Sequence, residues 1–183
     1  SSQSYVAVNV KDGKEAWRLR WLTQYGVNAA DPVVDGDRIL LSSGYGKGAA
    51  LFKLGVAPEE IWKSKALRTQ MNGAVLYRGH LYGVDGDTTE KASLKCLDFA
   101  TGAEKWKHAG FGSGGVIIAE GKLIAVSGAG ELMIAPASPD GFKPTARTQV
   151  FGGKCWTAPV LADGRIYCRN ARGEVVVVDG RRK

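Results

Sequence analysis

The chain has 183 residues, of which 44% are hydrophobic and 23% charged, and its net charge is +7. This length suits one domain or a segment of a larger one, and the composition is ordinary for a soluble globular protein. No apolar run approaches the ~20 residues of a membrane helix, so no membrane span is predicted. The basic residues are scattered and form no nucleic-acid motif, so no nucleic-acid partner is predicted.

The first predicted elements are two strands, "YVAVNV" from Tyr5 and a second strand that ends at Trp17. After them the same order of elements recurs: short alternating strands separated by glycine-rich turns, with no helical period. The repeats divide the chain into a partial unit at 1–20, full units at 21–65, 66–108 and 109–150, and a partial unit at 151–183.

Two independent markers give the period of the repeat. Trp17, Trp62 and Trp106 are separated by 45 and 44 residues. The hairpin glycines, at intervals of 43, 42 and 43 residues, are Gly36, Gly79, Gly121 and Gly164. A unit of four short antiparallel strands repeated at this period is typical of a β-propeller blade.

The sequence therefore predicts an all-β protein, a β-propeller of four-stranded antiparallel blades with about four blades present. The count is 17 strands, with a third-type strand at each end of the chain. Because a closed ring of four blades needs 16 strands, we expect an open arc of a larger ring. The chain would then have missing blades N-terminal to Ser1.

The tryptophans are predicted to have a structural role. Trp17, Trp62 and Trp106 should end the outermost strand of their units and pack into the seam between blades. Gly102 should form the turn that precedes Trp106. We expect all three indoles to be largely buried.

Candidate binding residues lie in the loops that enter the innermost strands, which surround one mouth of a propeller channel. They would form a polar, partly cationic mouth with an aromatic platform. The alternative is that they satisfy the loop backbone and channel water. The candidates are Asn28, Asp31, Arg68, Gln70, Asn72, Lys154 and Trp156.

Other signals give no catalytic or metal site. The segment "GYGKG" at 44–48 resembles a phosphate loop but lies between strands, whereas a phosphate loop precedes a helix. His80 and His108 lack partners at metal-ligand spacing. The three cysteines lack CxxC spacing, and a disulfide between Cys155 and Cys168 is left open.

The stretch "LDFATGAEKW" at 97–106 resembles the tryptophan-docking repeat of quinoprotein dehydrogenases, the pyrroloquinoline-quinone (PQQ)-type β-propellers. The resemblance extends from about Tyr5 to Asp179 and is greatest to bacterial PQQ-like repeat proteins. The outer-membrane barrel-assembly propeller lipoprotein belongs to the same broad group. The resemblance implies an eight-bladed ring and an exported, periplasmic location.

The resemblance supports two functions. The first is a non-catalytic binding or scaffold module, without a cofactor, whose partners are a protein or small molecule at a propeller face and either the remaining blades or a second copy. The alternative is part of a dehydrogenase that uses PQQ and Ca²⁺ to oxidise alcohols or sugars. Enzymes of the family often carry adjacent cysteines, which this chain lacks, and no ligand set can be matched to its residues.

Overall fold

The computed structural model describes residues 3–86 and 91–181, and every regular element in these ranges is a β-strand. The strands are β1 (Ser4–Val8), β2 (Glu15–Arg20), β3 (Val33–Asp35), β4 (Arg38–Ser43), β5 (Gly48–Lys53), β6 (Glu59–Ser64), β7 (Val75–Tyr77), β8 (His80–Asp85), β9 (Ser93–Asp98), β10 (Glu104–His108), β11 (Gly115–Ala119), β12 (Lys122–Val126), β13 (Glu131–Pro136), β14 (Ala146–Gln149), β15 (Val160–Ala162), β16 (Arg165–Arg169) and β17 (Val175–Asp179). These ranges contain no helix that could span a membrane.

The strands form five antiparallel sheets, and neighbours along the chain are neighbours in each sheet. We call β1–β2 the first sheet, β3–β6 blade A, β7–β10 blade B, β11–β14 blade C and β15–β17 the last sheet. Blades A, B and C each have four strands, whereas the first sheet has two and the last sheet three. The predicted fold class, repeat and strand order are confirmed.

Tight turns join the first and second strands of blade B, of blade C and of the last sheet and fix their register. At Arg78–Gly79, Glu120–Gly121 and Asp163–Gly164, both turn residues have positive φ. This is the geometry of two-residue hairpins whose twist matches that of the flanking strands. The second turn residue is glycine each time because it lacks the Cβ that penalises positive φ.

Apolar side chains from both faces of each blade fill the seams between sheets. Four clusters of buried residues join the first sheet to blade A, A to B, B to C, and C to the last sheet. In the seam between blades B and C, Leu94 and Cys96 of blade B pack with Met133 of blade C. Full burial of such a side chain stabilises the fold by roughly 1.5–3 kcal/mol.

The tryptophans lie in the middle of their strands, so the prediction that they end the strands is wrong. Trp17, Trp62 and Trp106 are inner residues of β2, β6 and β10, because each strand continues for at least two residues beyond the indole. All three indoles are partly buried, and most of their surface is covered. Trp17 packs at the margin of the cluster between the first sheet and blade A.

Two indoles donate hydrogen bonds to the next blade. Trp62 Nε1 donates to Phe99 O at 3.0 Å, and Trp106 Nε1 donates to Ser138 O at 2.8 Å. Gly102 has φ +73°, and a Cβ at this position would lie 2.9 Å from the Trp62 ring. The turn before β10 therefore forms the surface that receives Trp62.

The two ends of the arc do not meet. Over residues 3–86 and 91–181, the first and last sheets share no strand pairing. Val8 of the first sheet and Val177 of the last sheet are exposed, although each lies on an apolar strand. The described part of the chain is an open arc, as predicted.

The three cysteines are free and buried, so no disulfide joins Cys155 and Cys168. Both lie in the cluster between blade C and the last sheet. Burial raises the pKa of Cys96 to about 11, and burial and the adjacent Cys155 raise the pKa of Cys168 to about 11. The thiols are apolar core groups, protonated at neutral pH.

Candidate functional site

Two sets of loops lie at the same end of the blades. Because the strands of each blade alternate in direction, the loop entering the first strand lies beside the loop joining the second and third strands. The entering loops are residues 21–32, 65–74, 109–114 and 150–159. We call this end of the arc the mouth.

Asn72 links three entering loops at the mouth by hydrogen bonds. Its Nδ2 donates hydrogen bonds to Gly114 O at 3.2 Å and to Trp156 O at 2.9 Å. The three residues are 42 positions apart, so they occupy the same position in successive repeats. The Asn72 side chain therefore has a structural role, and for Trp156 it is the backbone that approaches Asn72.

A small pocket opens beside Asn72, with Gln70 and Ser113 in its lining. Gln70 is 8% exposed, and its Oε1 has no hydrogen-bond partner in the described parts of the chain. A buried amide oxygen without a partner costs about 1–3 kcal/mol, which a bound donor would offset. The pocket has room for about one water molecule, so it suits a water or a small polar group and not a drug-sized ligand.

The remaining candidates do not converge on this cavity. Asn28 Nδ2 donates to Trp21 O at 3.2 Å, and its Oδ1 accepts from Ser43 Oγ at 3.0 Å. Asp31 is exposed. Lys154 Nζ lies 5.9 Å from the ring centroid of Trp156, in cation–π geometry. The structure brings together Gln70, Asn72 and the backbone of Trp156.

Arg68 belongs to an ion-pair network that the sequence did not reveal. Its Nε lies 2.8 Å from Asp85 Oδ1, and Lys95 Nζ lies 2.9 Å from Asp85 Oδ2. Lys95 Nζ also lies 2.9 Å from Glu104 Oε2 and donates to Ala66 O. Burial raises the pKa of Asp85, but hydrogen bonds from Arg68 and Lys95 outweigh burial and hold the pKa below its usual value. The one sequence signal was a lysine in the otherwise apolar pattern of β9.

An aromatic pair lies at the mouth beside blade A, with Tyr25 exposed and Tyr45 partly buried. Tyr25 and Tyr45 pack edge to face, with ring centroids 4.9 Å apart. Tyr45 has φ +52° in the turn of "GYGKG", where Lys47 N donates to Gly44 O. Positive φ strains a tyrosine, a cost of order 1–3 kcal/mol. Residues 44–48 therefore present an aromatic side chain, and β5, not a helix, follows them.

Lys47 lies in the same turn as Tyr45. Lys47 Nζ lies 4.5 Å from the ring centroid of Trp21. Burial and the neighbouring Lys63 cation lower the pKa of Lys47. Neither Lys47 nor Lys63 has an ion-pair partner among residues 3–86 and 91–181. We call Tyr25, Tyr45, Lys47 and Lys63 the tyrosine–lysine patch.

The cavity does not fit PQQ with Ca²⁺. Calcium takes six to eight oxygen ligands, largely from carboxylates, and the described lining of the cavity contains no carboxylate. Lys154 lies over the ring of Trp156, the aromatic platform expected for a flat cofactor. The described residues also contain no cluster of three or more His, Cys, Asp and Glu side chains that could hold a metal ion.

Comparison with known proteins gives a family and a fold. The sequence matches the family described as outer membrane protein assembly factor BamB over residues 1–108 and 90–183. No curated protein matches the chain. The structure is similar to BamB from Moraxella catarrhalis, with a TM-score of 0.71 and 16% identity over 96% of this chain and 51% of that chain.

Two computationally designed proteins are also similar in structure. Ika8 has a TM-score of 0.68 and 10% identity over 93% of this chain and 50% of its own. Ika4 has a TM-score of 0.65 and 11% identity over 91% of this chain and 98% of its own. The chain thus spans about half the length of BamB and Ika8. At these identities the similarity shows the fold alone.

Proposed function

The chain belongs to the family described as outer membrane protein assembly factor BamB, and on that premise we propose that it is a non-catalytic propeller module that binds a protein partner. We place it in an exported, periplasmic bacterial protein that serves as a scaffold in the assembly of outer membrane proteins. The family description supports this setting, and the mouth supplies the binding surface.

The observation that carries the proposal is the tyrosine pair of the tyrosine–lysine patch, in which the exposed Tyr25 packs on the partly buried Tyr45. Tyr25 is 67% exposed and packs on Tyr45, whose positive φ would suit glycine or asparagine better. A strained aromatic residue on a rigid turn loses little conformational entropy on binding. Aromatic residues are enriched at protein interfaces for their contact area.

The charges of the patch indicate the chemistry of the partner. Lys47 and Lys63 lie close enough for one to lower the pKa of the other. An acidic group between them would relieve this repulsion and speed association. We therefore propose a partner surface with acidic side chains around an apolar or aromatic residue.

Site-specific photo-cross-linking in cells tests this function. A photoreactive phenylalanine analogue at position 25 should give discrete adducts with one or a few envelope proteins. The matched control is position 56, because Val56 is fully exposed but lies in the turn between β5 and β6, away from the mouth. Substituting Lys47→Glu together with Lys63→Glu should reduce the adducts from position 25.

Equal adducts from positions 25 and 56, or none from position 25, would contradict a binding role for the mouth. The non-catalytic part of the proposal has its own test, an anaerobic titration of the chain with PQQ and Ca²⁺. We expect no quinone absorbance to survive dialysis and no reduction of dye by alcohols or sugars. Stoichiometric retention of PQQ with Ca²⁺-dependent dye reduction would establish the dehydrogenase instead.

A further inference from the structure

The entering loops of blades A and B contain the same dipeptide in different surroundings. Thr23–Gln24 belongs to the loop 21–32, and Thr69–Gln70 belongs to the loop 65–74. Gln24 is exposed, whereas Gln70 is 8% exposed. Because solvent satisfies the amide of an exposed glutamine, only Gln70 needs hydrogen-bond partners inside the protein.

The amide oxygen of Gln70 is held in a buried position without such a partner. Oε1 accepts no hydrogen bond from the residues in 3–86 and 91–181. The side chain packs against Gly44, where an added Cβ would lie 3.1 Å from the Gln70 Cβ and 3.3 Å from its Cδ. Buried polar atoms without a protein partner are normally satisfied by ordered water.

A polar cluster beside blade A shows the alternative, in which the protein supplies every partner. Trp21 Nε1 donates to Ser43 Oγ at 3.0 Å, and Ser43 Oγ donates to Asn28 Oδ1 at 3.0 Å. Asn28 Nδ2 then donates to Trp21 O at 3.2 Å. This cluster needs no further group, whereas the oxygen of Gln70 still needs a donor.

The pocket beside Asn72 limits what this donor can be. It has room for about one water molecule, and Gln70 belongs to its lining. An amide oxygen repels an anion, and the described lining contains no carboxylate that would offset the charge of a cation. The pocket therefore fits one small, neutral hydrogen-bond donor.

The lining offers further partners for a water molecule. Gly114 O accepts from Asn72 Nδ2 at 3.2 Å and keeps a second lone pair. Ser113 Oγ lies 3.4 Å from Cys155 O, which is longer than the roughly 2.5–3.0 Å of a good O–H···O bond. The Ser113 hydroxyl can therefore turn to donate into the pocket.

We propose that the pocket binds one ordered water molecule, which donates hydrogen bonds to Gln70 Oε1 and Gly114 O and accepts one from Ser113 Oγ. About three hydrogen bonds are usual for a buried water. Gln70 belongs to the entering loop of blade B, and Ser113 and Gly114 belong to that of blade C. The water thus joins the two loops, and the site does not depend on the proposed function.

High-resolution crystal structures of the 183-residue chain and two variants test the proposal. Gln70→Met keeps the length of the side chain but removes its amide oxygen, and Gln24→Met makes the same change at the exposed dipeptide. We expect a water within about 3.2 Å of Gln70 Oε1 in the wild type. The same water should be present in Gln24→Met and lost in Gln70→Met.

Amide hydrogen exchange measures the effect of the water on the loops in solution. The reporter is the amide of Gly112, which donates from the loop of blade C to Ala92 O of blade B at 3.0 Å. Its exchange should be about twofold to tenfold faster in Gln70→Met, the factor that corresponds to the net contribution of one hydrogen bond. Gln24→Met should leave its exchange unchanged.

Three results would overturn the proposal. The first is a wild-type pocket that contains no ordered water or a water that does not contact Gln70 Oε1. The second is the same water retained in Gln70→Met. The third is equal exchange of the Gly112 amide in the two variants, which would show that no bound water joins the loops.

Discussion

Blade B and the last sheet are two copies of one repeat in different surroundings. Tyr82 and Tyr167 have the same strand position and the same pairing, but only Tyr82 lies under a neighbouring blade. The valines of β17 are as apolar as the buried residues of β9, yet they face solvent. Sequence pattern thus determines the strand and its register, whereas burial depends on a neighbour. Substitutions at equivalent positions of different repeats should therefore differ in their effects on stability.

The largest expected effect is the loss of a buried side chain in the seam between blades B and C. Leu94→Ala should lower the free energy of unfolding by about 2–5 kcal/mol, because it removes buried methyl groups and leaves a cavity. Val175→Ala at the equivalent position of β17 should change it by less than about 0.5 kcal/mol. Urea denaturation of both variants measures the difference, and equal losses would show that β17 is covered.

The buried carboxylate of blade B has a neutral counterpart in the last sheet. Asp85 ends β8, and Asn170 follows β16 at the equivalent position, where it accepts hydrogen bonds from the amides of Arg172 and Glu174. Asp85→Asn should cost about 3 kcal/mol, because Arg68 and Lys95 lose a buried partner. Urea denaturation at pH 7 measures this loss.

The same substitution has a defined pH dependence. The folded-state pKa of Asp85 is depressed, so its stabilisation is fully present above the unfolded-state pKa of about 4. The stabilisation is lost as the pH falls through the lower folded-state pKa. The difference between wild type and Asp85→Asn should therefore shrink below about pH 4. A difference that is constant from pH 7 to pH 3 would contradict the ion-pair assignment.

A smaller difference in stability is expected between glycine substitutions in two turns, one that contacts an indole and one that does not. Gly102 and Gly13 both have positive φ in the turn before a fourth strand, but a Cβ on Gly13 would meet no atom within 4 Å. Gly13→Ala should cost about 1–2 kcal/mol of backbone strain. Gly102→Ala should cost about 1–3 kcal/mol more, because its methyl group overlaps the Trp62 ring. Thermal or urea unfolding measures the stability of both variants. Equal losses would show that Gly102 does not pack against the Trp62 ring.

The fold was largely predictable because its signals are local. Turns such as Arg78–Gly79 are recognisable in the sequence as a glycine between two alternating strands. The spacing of these turns gives the length of a blade. The sequence prediction ends the outer strands at the tryptophans. The residues that follow, such as Lys107 and His108, include no glycine or proline that would end a strand. The strand continues there through pairing with its neighbour.

The site was less predictable because its contacts join distant segments. The candidate residues lie in the entering loops, but Asn72 donates hydrogen bonds to backbone oxygens 42 and 84 residues away, which spacing alone does not reveal. The pairing of Tyr25 with Tyr45 depends on the turn geometry of one loop and the path of another. The burial of Gln70 likewise depends on the packing of segments that are distant in sequence.

The open arc of five sheets, with an uncovered last sheet, is tested most directly by a distance between its ends. Spin labels at Lys11, in the turn of the first sheet, and Asp163, in the turn of the last sheet, occupy exposed positions away from both faces. Labels at Val56 and Thr101, in turns of the adjacent blades A and B, calibrate the distance between neighbours.

Pulsed electron–electron resonance should give a distance for the Lys11–Asp163 pair well beyond that of the Val56–Thr101 pair, since packed sheets lie about 10 Å apart. A Lys11–Asp163 distance equal to that of the neighbouring blades would show that the first and last sheets meet and would contradict the open arc.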